Sequence, residues 1–544
     1  MLAPSIKKTV LDKIVSYFSP SAGMRRYQQR LRISALEQNG YVIPGSRRKA
    51  MKGVTATPGS PRRDITDKHM HMAGLSRDLA MNSPLAAAIL DRLKTNAVGA
   101  GLQVQSRIDG SFLGISDDEL DQSKLNFERM FDMWSNSNAS DYEYQHSYGV
   151  MQALAFFNML MSGDFFFMLA YREPREKGFP FGTCIKLIDA DLVRNPNFTD
   201  VYSLDVEGGV QLDSNGNIEG YWVWDTYPNE TIAIKKVGKP TFVSLFNSAG
   251  QQQIYHVFDP KRFHQRRGVP HLAPSAELLK QLTRISEAEA MNILVSSFFT
   301  VFVKDASGMP TYLPDALPPE ETVTGGGTYG PGDSSTYDKN LYDGNDLEMG
   351  YGNVLYLDDN KDITIADPKR TDQDFSTVWN ALATQATAGS NMSIEHAQLR
   401  YDTSYTAARA ARIDMWNIYA YMRNLLVAKM DQIVYERVSE ESVVRGNLIA
   451  SGFLDDYARK KAWCRSAWIG PGQGFLNPLQ EAKAAAVAIN ANIGTREEAY
   501  ALSTGNRWES AMTRKASEQR LMDKLGLVDE VSKSDLSGTG NTRV

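Results

Sequence analysis

Apolar side chains recur at three- and four-residue steps along much of the chain, which is the period of an amphipathic helix. Between Asp64 and Ala97 this period predicts helix, and Pro84 after Asn82 and Ser83 indicates a cap followed by proline in a first helical turn. The same period predicts further helices over 117–134, 145–162, 274–295, 371–387, 402–436 and 479–490, and a last one that ends near Gly526.

A β-rich stretch lies between Gly163 and Pro260, in the segments FFFMLAYRE, CIKLIDADLV, GGVQLDSNGNIEGYWVW and IYHVFD. Asn215-Gly216 separates two alternating runs, which indicates a hairpin. VGAGLQVQSRI predicts a glycine turn into a strand, and FFTVFVK, GNVLYLDD and DITIAD predict strands after residue 297. Together the helical and β-rich regions predict an α+β protein with long helices.

Bulk composition fits a globular protein of several structural units, because 544 residues are too many for one ordinary core. The two cysteines, Cys184 and Cys464, exclude a disulfide framework and fit a reducing compartment. Asp12 and Lys13 interrupt the apolar stretch near the N-terminus, so no secretory signal is expected. The longest apolar run, 291–304, is too short to span a bilayer, which predicts a soluble protein without membrane contact.

The net charge of −5 is unevenly distributed along the chain. Residues 1–63 carry thirteen Lys and Arg and two acids, a net +11, whereas the remaining 481 residues carry 46 bases and 62 acids, a net −16. The pattern predicts a basic, largely flexible arm on an acidic body. The arm is either a solubilising leader or a segment that binds nucleic acid or an acidic partner. The acidic body argues against a protein that holds DNA tightly.

None of the motifs that suggest an enzyme is complete. Gly470, Gly472 and Gly474 precede a predicted helix, but their spacing is not that of a dinucleotide loop, and the acids that follow belong to a capping box at Thr495. No P-loop is present, and the seven histidines form no metal-binding set, so no cofactor is expected. If LIDADLV is a strand, Asp189 and Asp191 share one face and are candidate metal ligands of a nuclease.

Several stretches in order along residues 64–525 resemble the lambda-type phage portal proteins. No single stretch is decisive, but eight in the right order are hard to produce by chance. They are RDLAMNSPLAAAILDRLKTNAVGAGLQVQ, MFDMWSN, LAFFNMLMSGDFFFML, LIDADLVRNP, GGVQLDSNGNIEGYWVWDTYP, VFDPKRFHQRRGVPHLAPSAELLKQL, EHAQLRYDTSYTAARAARIDMW and WIGPGQGFLNPLQEAKAA, followed by a Thr-initiated helix. The chain departs from the family at 404–409, where the match is partial, and in the Gly/Tyr-rich insert at 324–346.

The resemblance implies a portal fold made of wing, stem, clip and crown, assembled as a ring that is usually dodecameric. By analogy it divides the chain into an arm (1–63), wing (64–270), first stem helix (271–296), clip (297–367), second stem helix with tunnel loop (368–400), long helix with remaining wing and crown (401–525) and polar tail (526–544). Such a ring is not an enzyme. It conducts double-stranded DNA, which it contacts non-specifically, into and out of the capsid at one vertex.

Two groups of residues are candidate site residues in this interpretation. A turn at Arg266, Arg267, Gly268 and Pro270 is the expected hinge between wing and stem, with arginines that pair with acids rather than DNA. The DNA-facing tunnel loop is expected within AGSNMSI, which carries no charge; an ordinary helix–helix connector is the alternative. Its residues are Gly389, Ser390, Asn391, Met392 and Ser393.

The partners that the resemblance implies are further copies of the chain, the terminase motor, the major capsid and scaffold proteins, and the tail connector. The expected location is the portal vertex of the virion, after assembly in the host cytoplasm. A metal-dependent nuclease using Asp189 and Asp191, and a capsid structural protein without a channel, remain the alternative hypotheses.

Overall fold

A computed structural model describes residues 58–173, 177–196, 205–228, 238–297, 375–401, 404–475 and 477–527. The chain divides into two compact units, Met1–Ser60 and Pro61–Val544. Every helix and strand below belongs to the second unit. The strands predicted in FFTVFVK, GNVLYLDD and DITIAD, and the insert at 324–346, lie outside the described residues.

Helices dominate the described part of the chain. In chain order they are α1 (Pro61–Asp64), α2 (His69–Asn82), α3 (Pro84–Ala97), α4 (Gly110–Leu113), α5 (Asp117–Ser135), α6 (Tyr148–Ser162), α7 (Ala276–Ser297), α8 (Phe375–Gly389), α9 (Ile394–Gln398), α10 (Tyr405–Leu426), α11 (Gln432–Val444), α12 (Tyr457–Trp463), α13 (Pro478–Asn490), α14 (Arg496–Thr504) and α15 (Trp508–Leu525). Short 3-10 turns include Ala190–Leu192 and Ala273–Ser275.

The described strands form three antiparallel sheets. Strand β1 (Gln103–Ser106) pairs with β9 (Ser466–Ile469), and β2 (Asp164–Tyr171) lies between β3 (Thr183–Ile188) and β8 (Ile254–Phe258). The third sheet has the order β4-β5-β6-β7, from strands Val206–Glu207, Val210–Leu212, Ile218–Trp224 and Pro240–Ser244. Helices and strands in separate regions confirm the α+β class.

Strand β2 joins the two hydrophobic clusters because successive side chains point to opposite faces of a strand. Phe165 and Phe167 belong to the large cluster, which also contains residues of α3, α5, α6, α10 and α11. Phe166 points the other way, into a smaller cluster with residues such as Val210 and Tyr221 of the four-stranded sheet. The central strand therefore connects the helical body to the outer sheet.

Most helices and strands lie near their predicted positions, and the hairpin at Asn215-Gly216 is confirmed between β5 and β6. The predicted helix 402–436 is wrong in two respects. Helix α10 passes through a π turn at Val427–Asp431 into α11, and α11 continues to Val444. The helical period does not reveal such a turn, because it inserts extra residues without breaking the apolar face. In the described residues, no helix is long and apolar enough to cross a membrane.

Candidate functional site: the joint before helix α7

The two predicted groups of site residues meet at one place, which we call the joint: residues 265–276 together with 386–393. His271 Nε2 lies 2.7 Å from the carbonyl oxygen of Ser390. Ser275 Oγ donates to the carbonyl oxygen of Ala386 at 2.6 Å and accepts from Ser390 Oγ at 3.1 Å. The start of α7 and the end of α8 are therefore held together by hydrogen bonds, although more than 100 residues separate them in the sequence.

Arg267 anchors the joint to the β-rich part of the chain. Its side chain is only 2% exposed and makes five hydrogen bonds. Two go to the carboxylate of Asp164, at 2.7 and 3.1 Å. The others go to the carbonyl oxygens of Ala190, Val193 and Gly208, at 2.7–2.9 Å. Since a guanidinium has five N–H donors, none is left for a phosphate.

Asp164 is the acid at the centre of this network. It is fully buried, accepts a hydrogen bond from the backbone N–H of Gly268 at 2.9 Å, and lies 3.0 Å from His256 Nε2 and 3.3 Å from His69 Nε2. Burial opposes ionisation of the carboxyl, but Arg267 and the histidines hold its pKa well below the usual range. The carboxylate is therefore charged and paired within the chain. The expected pairing with an acid is confirmed for Arg267.

Arg266 has a different environment from Arg267. Its guanidinium Nη2 donates to the carbonyl oxygen of Gly216, in the hairpin turn between β5 and β6, at 2.6 Å. This contact is with the backbone, so Arg266 does not have the expected acidic partner here. The two neighbouring arginines thus connect the joint to two different parts of the β-rich region.

Gly268 allows the closest backbone approach in the joint. A Cβ atom on it would lie 1.9 Å from the carbonyl oxygen of Gly163, at the end of α6. Gly163 has φ +97, and a Cβ atom on it would lie within 2.9 Å of the backbone of Gly268, Val269 and Pro270. The N–H of His271 then donates to the carbonyl oxygen of Leu160 at 2.8 Å. Glycine is required here because neither backbone could otherwise come so near.

The expected tunnel loop is a tight turn between α8 and α9. Ser390 and Met392 are buried, while Gly389 and Asn391 are exposed, and Asn391 adopts φ +50. Ser393 is the N-cap of α9, where its side chain accepts from the N–H of His396. Of the five predicted residues, Gly389 and Asn391 are therefore exposed in the single chain, and Ser393 is half-buried.

Electrostatically, the α8 side of the joint is neutral. Helix α8 has the sequence FSTVWNALATQATAG, without a charged residue, and the next charge in the chain is Glu395. By contrast, α7 carries Glu277, Lys280, Arg284, Glu287 and Glu289. Burial lowers the pKa of the His271 imidazole, so this ring is neutral at pH 7. The neutral surface extends from α8 through Asn391.

Asp189 and Asp191 do not form the expected pair of metal ligands. Strand β3 ends at Ile188, so the two residues do not lie on a strand, and the predicted shared face is wrong. Asp189 caps the 3-10 turn by accepting from the N–H of Asp191 at 3.0 Å, and Asp191 pairs with Arg77 at 2.5 Å. Across the described ranges, no group of three or more potential ligands could hold a metal ion.

The glycine loop before α13 is packed against the protein itself. A Cβ on Gly470 would lie 2.3 Å from Arg423 Nε, and one on Gly472 would lie 2.7 Å from the backbone of Gly505. The predicted capping box is confirmed, with Thr495 and Glu498 each bonded to the other's backbone N–H. The glycines therefore serve close chain packing rather than a phosphate cradle.

Asp164 is a central residue of the joint that no sequence motif marks. The signal for it is its position, because an acid directly before FFFML interrupts an otherwise apolar run. A buried acid must find a cation. The sequence does not show which cation, since Arg267 is 103 residues away.

The chain is similar in sequence to a known family of proteins. The family model described as "Phage portal protein, lambda family" matches residues 47–423, so the chain belongs to the lambda family of phage portal proteins. The chain is 22% identical to "Portal protein B" of Escherichia phage lambda over 432 residues, covering 77% of this chain and 78% of that protein. It is 21% identical to "Portal protein" of Escherichia phage N15, with the same coverage.

Solved structures of gene transfer agent (GTA) particles also align with the chain. "Virion of native gene transfer agent (GTA) particle" aligns at a TM-score of 0.36 and 12% identity, covering 79% of this chain and 92% of that one. "Neck of native GTA particle computed with C12 symmetry" aligns at a TM-score of 0.35 and 12% identity, covering 78% and 92%.

Proposed function

We propose that this chain is the subunit of a portal ring, the channel at one capsid vertex through which double-stranded DNA is packaged and later ejected. The observation that carries the proposal is the family match over residues 47–423. The saturated bonding of Arg267, the cap formed by Asp189 and the ion pair between Asp191 and Arg77 support a structural rather than a catalytic role. Catalysis is left to the terminase, whose ATP hydrolysis drives the DNA.

Within this ring, residues 64–270 form the wing and helices α7 and α8 the stem. The two helices pack in antiparallel order, since Ser275 contacts Ala386 while Ser286 accepts from Trp379 Nε1 at 3.1 Å. The joint supports this division because Arg267 and Gly268 fix the first stem helix directly onto β2 of the wing. The clip, 297–367, and the polar tail, 526–544, are assigned by family analogy; 401–525 holds the remaining wing and crown.

The DNA path in this proposal runs along the neutral surface of α8 and the turn 389–393. A conduit must contact DNA in every register without holding it, and each neutralised phosphate adds salt-dependent affinity. A surface without Lys or Arg meets that requirement. Because Ser390 and Met392 are buried, Gly389 and Asn391 are the members of the turn that contact the DNA backbone.

The remaining partners follow from the place of a portal in the particle. We infer that the ring sits in the virion at the capsid vertex, contacts the major capsid and scaffold proteins during assembly in the host cytoplasm, and binds first the terminase and then the tail connector.

Mass measurement and imaging of the purified chain test the ring. Twelve copies of the 60.6 kDa chain weigh about 730 kDa, which multi-angle light scattering distinguishes from smaller species. Negative-stain images are expected to show rings with a central channel. A monomer under all conditions, including co-expression with scaffold and capsid proteins, contradicts the proposal. Closed particles without a channel would instead favour a capsid structural protein.

A further inference from the structure

The C-terminal region contains an apolar groove that no described residue fills. It lies between α10, α13 and α14 and has a volume of about 440 Å³. We call it the C-terminal groove; its apolar lining includes Ile413, Phe475, Ala485, Ala488, Ala499 and Leu502. Phe475 and Leu502 remain 48% and 50% exposed. The small alanine side chains leave room for larger apolar side chains from outside.

Charged side chains of both signs border the C-terminal groove. Arg409 and Arg412 lie on the α10 side, and Glu481 and Glu498 lie on α13 and α14. Glu498 is engaged in the cap of α14. In the described part of the chain, neither arginine has an ion pair, and neither does Glu481. A ligand that carries both charges would therefore find a counter-charge on either side.

The last described helix has the complementary properties. Helix α15 is 18 residues long, and none of its side chains is fully buried; Trp508, Ala511 and Met512, near its start, are half-buried. Leu521 and Leu525 are 56% and 64% exposed, and with Arg514 and Glu518 they form one stripe at helical spacing, the leucine stripe. Most of the stability of a helix in a protein comes from packing of its apolar face. The leucine stripe is therefore an apolar surface that a partner can cover.

We propose that the C-terminal groove of one subunit binds the leucine stripe of α15 from a second copy of the chain. In this contact Leu521 and Leu525 enter the alanine-lined groove, as in other helix-in-groove complexes. Glu518 then faces Arg409 and Arg412, and Arg514 faces the glutamates across the groove. The apolar contact provides most of the affinity, because exposed ion pairs contribute only about 0–1 kcal/mol each.

The geometry favours another copy over the helix's own subunit. Helix α15 starts four residues after α14 ends, yet none of its residues lines the groove. Groove and stripe are different surfaces of one chain, so their pairing is heterologous and continues from subunit to subunit, as a ring requires. The inference thus rests on the proposed ring and adds which two faces meet.

Cysteine cross-linking of the full chain tests this contact directly. Cys184 and Cys464 are buried and unpaired, so they provide a low background. We expect Ala488→Cys combined with Leu521→Cys in one chain to give, on oxidation, a ladder of covalent multimers. Co-expression of the two single variants should give covalent dimers only, because each subunit then carries one engineered thiol.

The matched control combines Ala488→Cys with Ala516→Cys. Ala516 lies on the side of α15 opposite the leucine stripe, so this variant should form no ladder. A disulfide within single monomers would show that the helix folds into its own groove and would overturn the proposal. Absence of cross-links, or equal ladders from the control, would overturn it as well. Negative-stain images distinguish failure of this interface from failure of the ring. If the reduced variants form rings but give no cross-links on oxidation, only this interface is refuted. If the unmutated chain forms no rings, the portal ring itself is refuted.

Discussion

At the residue scale, the pair Asp164 and Arg267 shows how one buried charge determines its surroundings. A buried carboxylate costs several kcal/mol unless it is paired and fully hydrogen-bonded. Here Arg267, His256 and the N–H of Gly268 supply the partners, and Arg267 has its remaining donors on three backbone carbonyls. The pair therefore fixes the direction in which the chain leaves β8 and enters α7.

Removing Arg267 should strongly destabilise the fold. Arg267→Ala leaves Asp164 charged without its main partner, and the expected loss in the free energy of unfolding is about 3–5 kcal/mol. Chemical denaturation followed by circular dichroism measures it. The neighbouring variant Arg266→Ala, which loses a single exposed contact with Gly216, should cost less than about 1 kcal/mol. Equal effects of the two variants would show that the buried pair has no special role.

At the element scale, α6, β2 and α7 come together through backbone contacts that only glycine permits. Because a Cβ on Gly268 would lie 1.9 Å from the carbonyl oxygen of Gly163, Gly268→Ala must separate the two segments. We expect a loss of about 1–3 kcal/mol in thermal or chemical unfolding. Gly74→Ala is the matched control: its Cβ would meet nothing within 4 Å in α2, so it should stabilise by about 0.5–1 kcal/mol. If Gly268→Ala left the free energy of unfolding unchanged, the close approach of Gly268 to Gly163 would be contradicted.

The π turn between α10 and α11 contains an acid whose charge works against stability at neutral pH. Asp431 is fully buried and accepts hydrogen bonds from Tyr148 at 2.5 Å and Gln152 at 2.7 Å, while its Oδ2 has no partner. Burial raises its pKa to about 6, against the effect of these hydrogen bonds. Since the folded pKa is above the unfolded one of about 3.9, stability is greatest below the unfolded value and is lost as the pH rises through about 6.

Asp431→Asn keeps the neutral form at every pH and should therefore remove this loss. At pH 8 we expect the variant to be more stable than the unmodified chain by on the order of 2 kcal/mol, with the difference vanishing near pH 4. Denaturation series at pH 4 to 8 provide the measurement. Asp414→Asn, at an exposed position of α10, is the control and should show no pH-dependent difference. A constant difference across the series would mean that Asp431 does not titrate in this range.

At the scale of the whole molecule, charge is divided between a basic N-terminal segment and an acidic remainder. The unit that contains the joint starts at Pro61, close to the predicted end of the arm at residue 63. We expect deletion of residues 1–60 to leave ring formation intact, because the joint, the C-terminal groove and α15 all lie in the second unit. Light scattering and negative staining check this. Loss of oligomers on deletion would show that the segment is part of the assembly contacts.

The sequence by itself determined the α+β class, the family and most helix positions, because periodicity, caps and glycine turns are local and the family pattern is an order of short segments. It also determined that residues 266–270 form a turn into a helix. Only the tertiary structure decided that Arg267 meets Asp164, that Ser390 and Met392 are buried, and that Asp191 pairs with Arg77. These facts depend on contacts between residues that are more than 100 positions apart in the sequence. Burial and pairing are properties of the packed chain, and no local pattern specifies them.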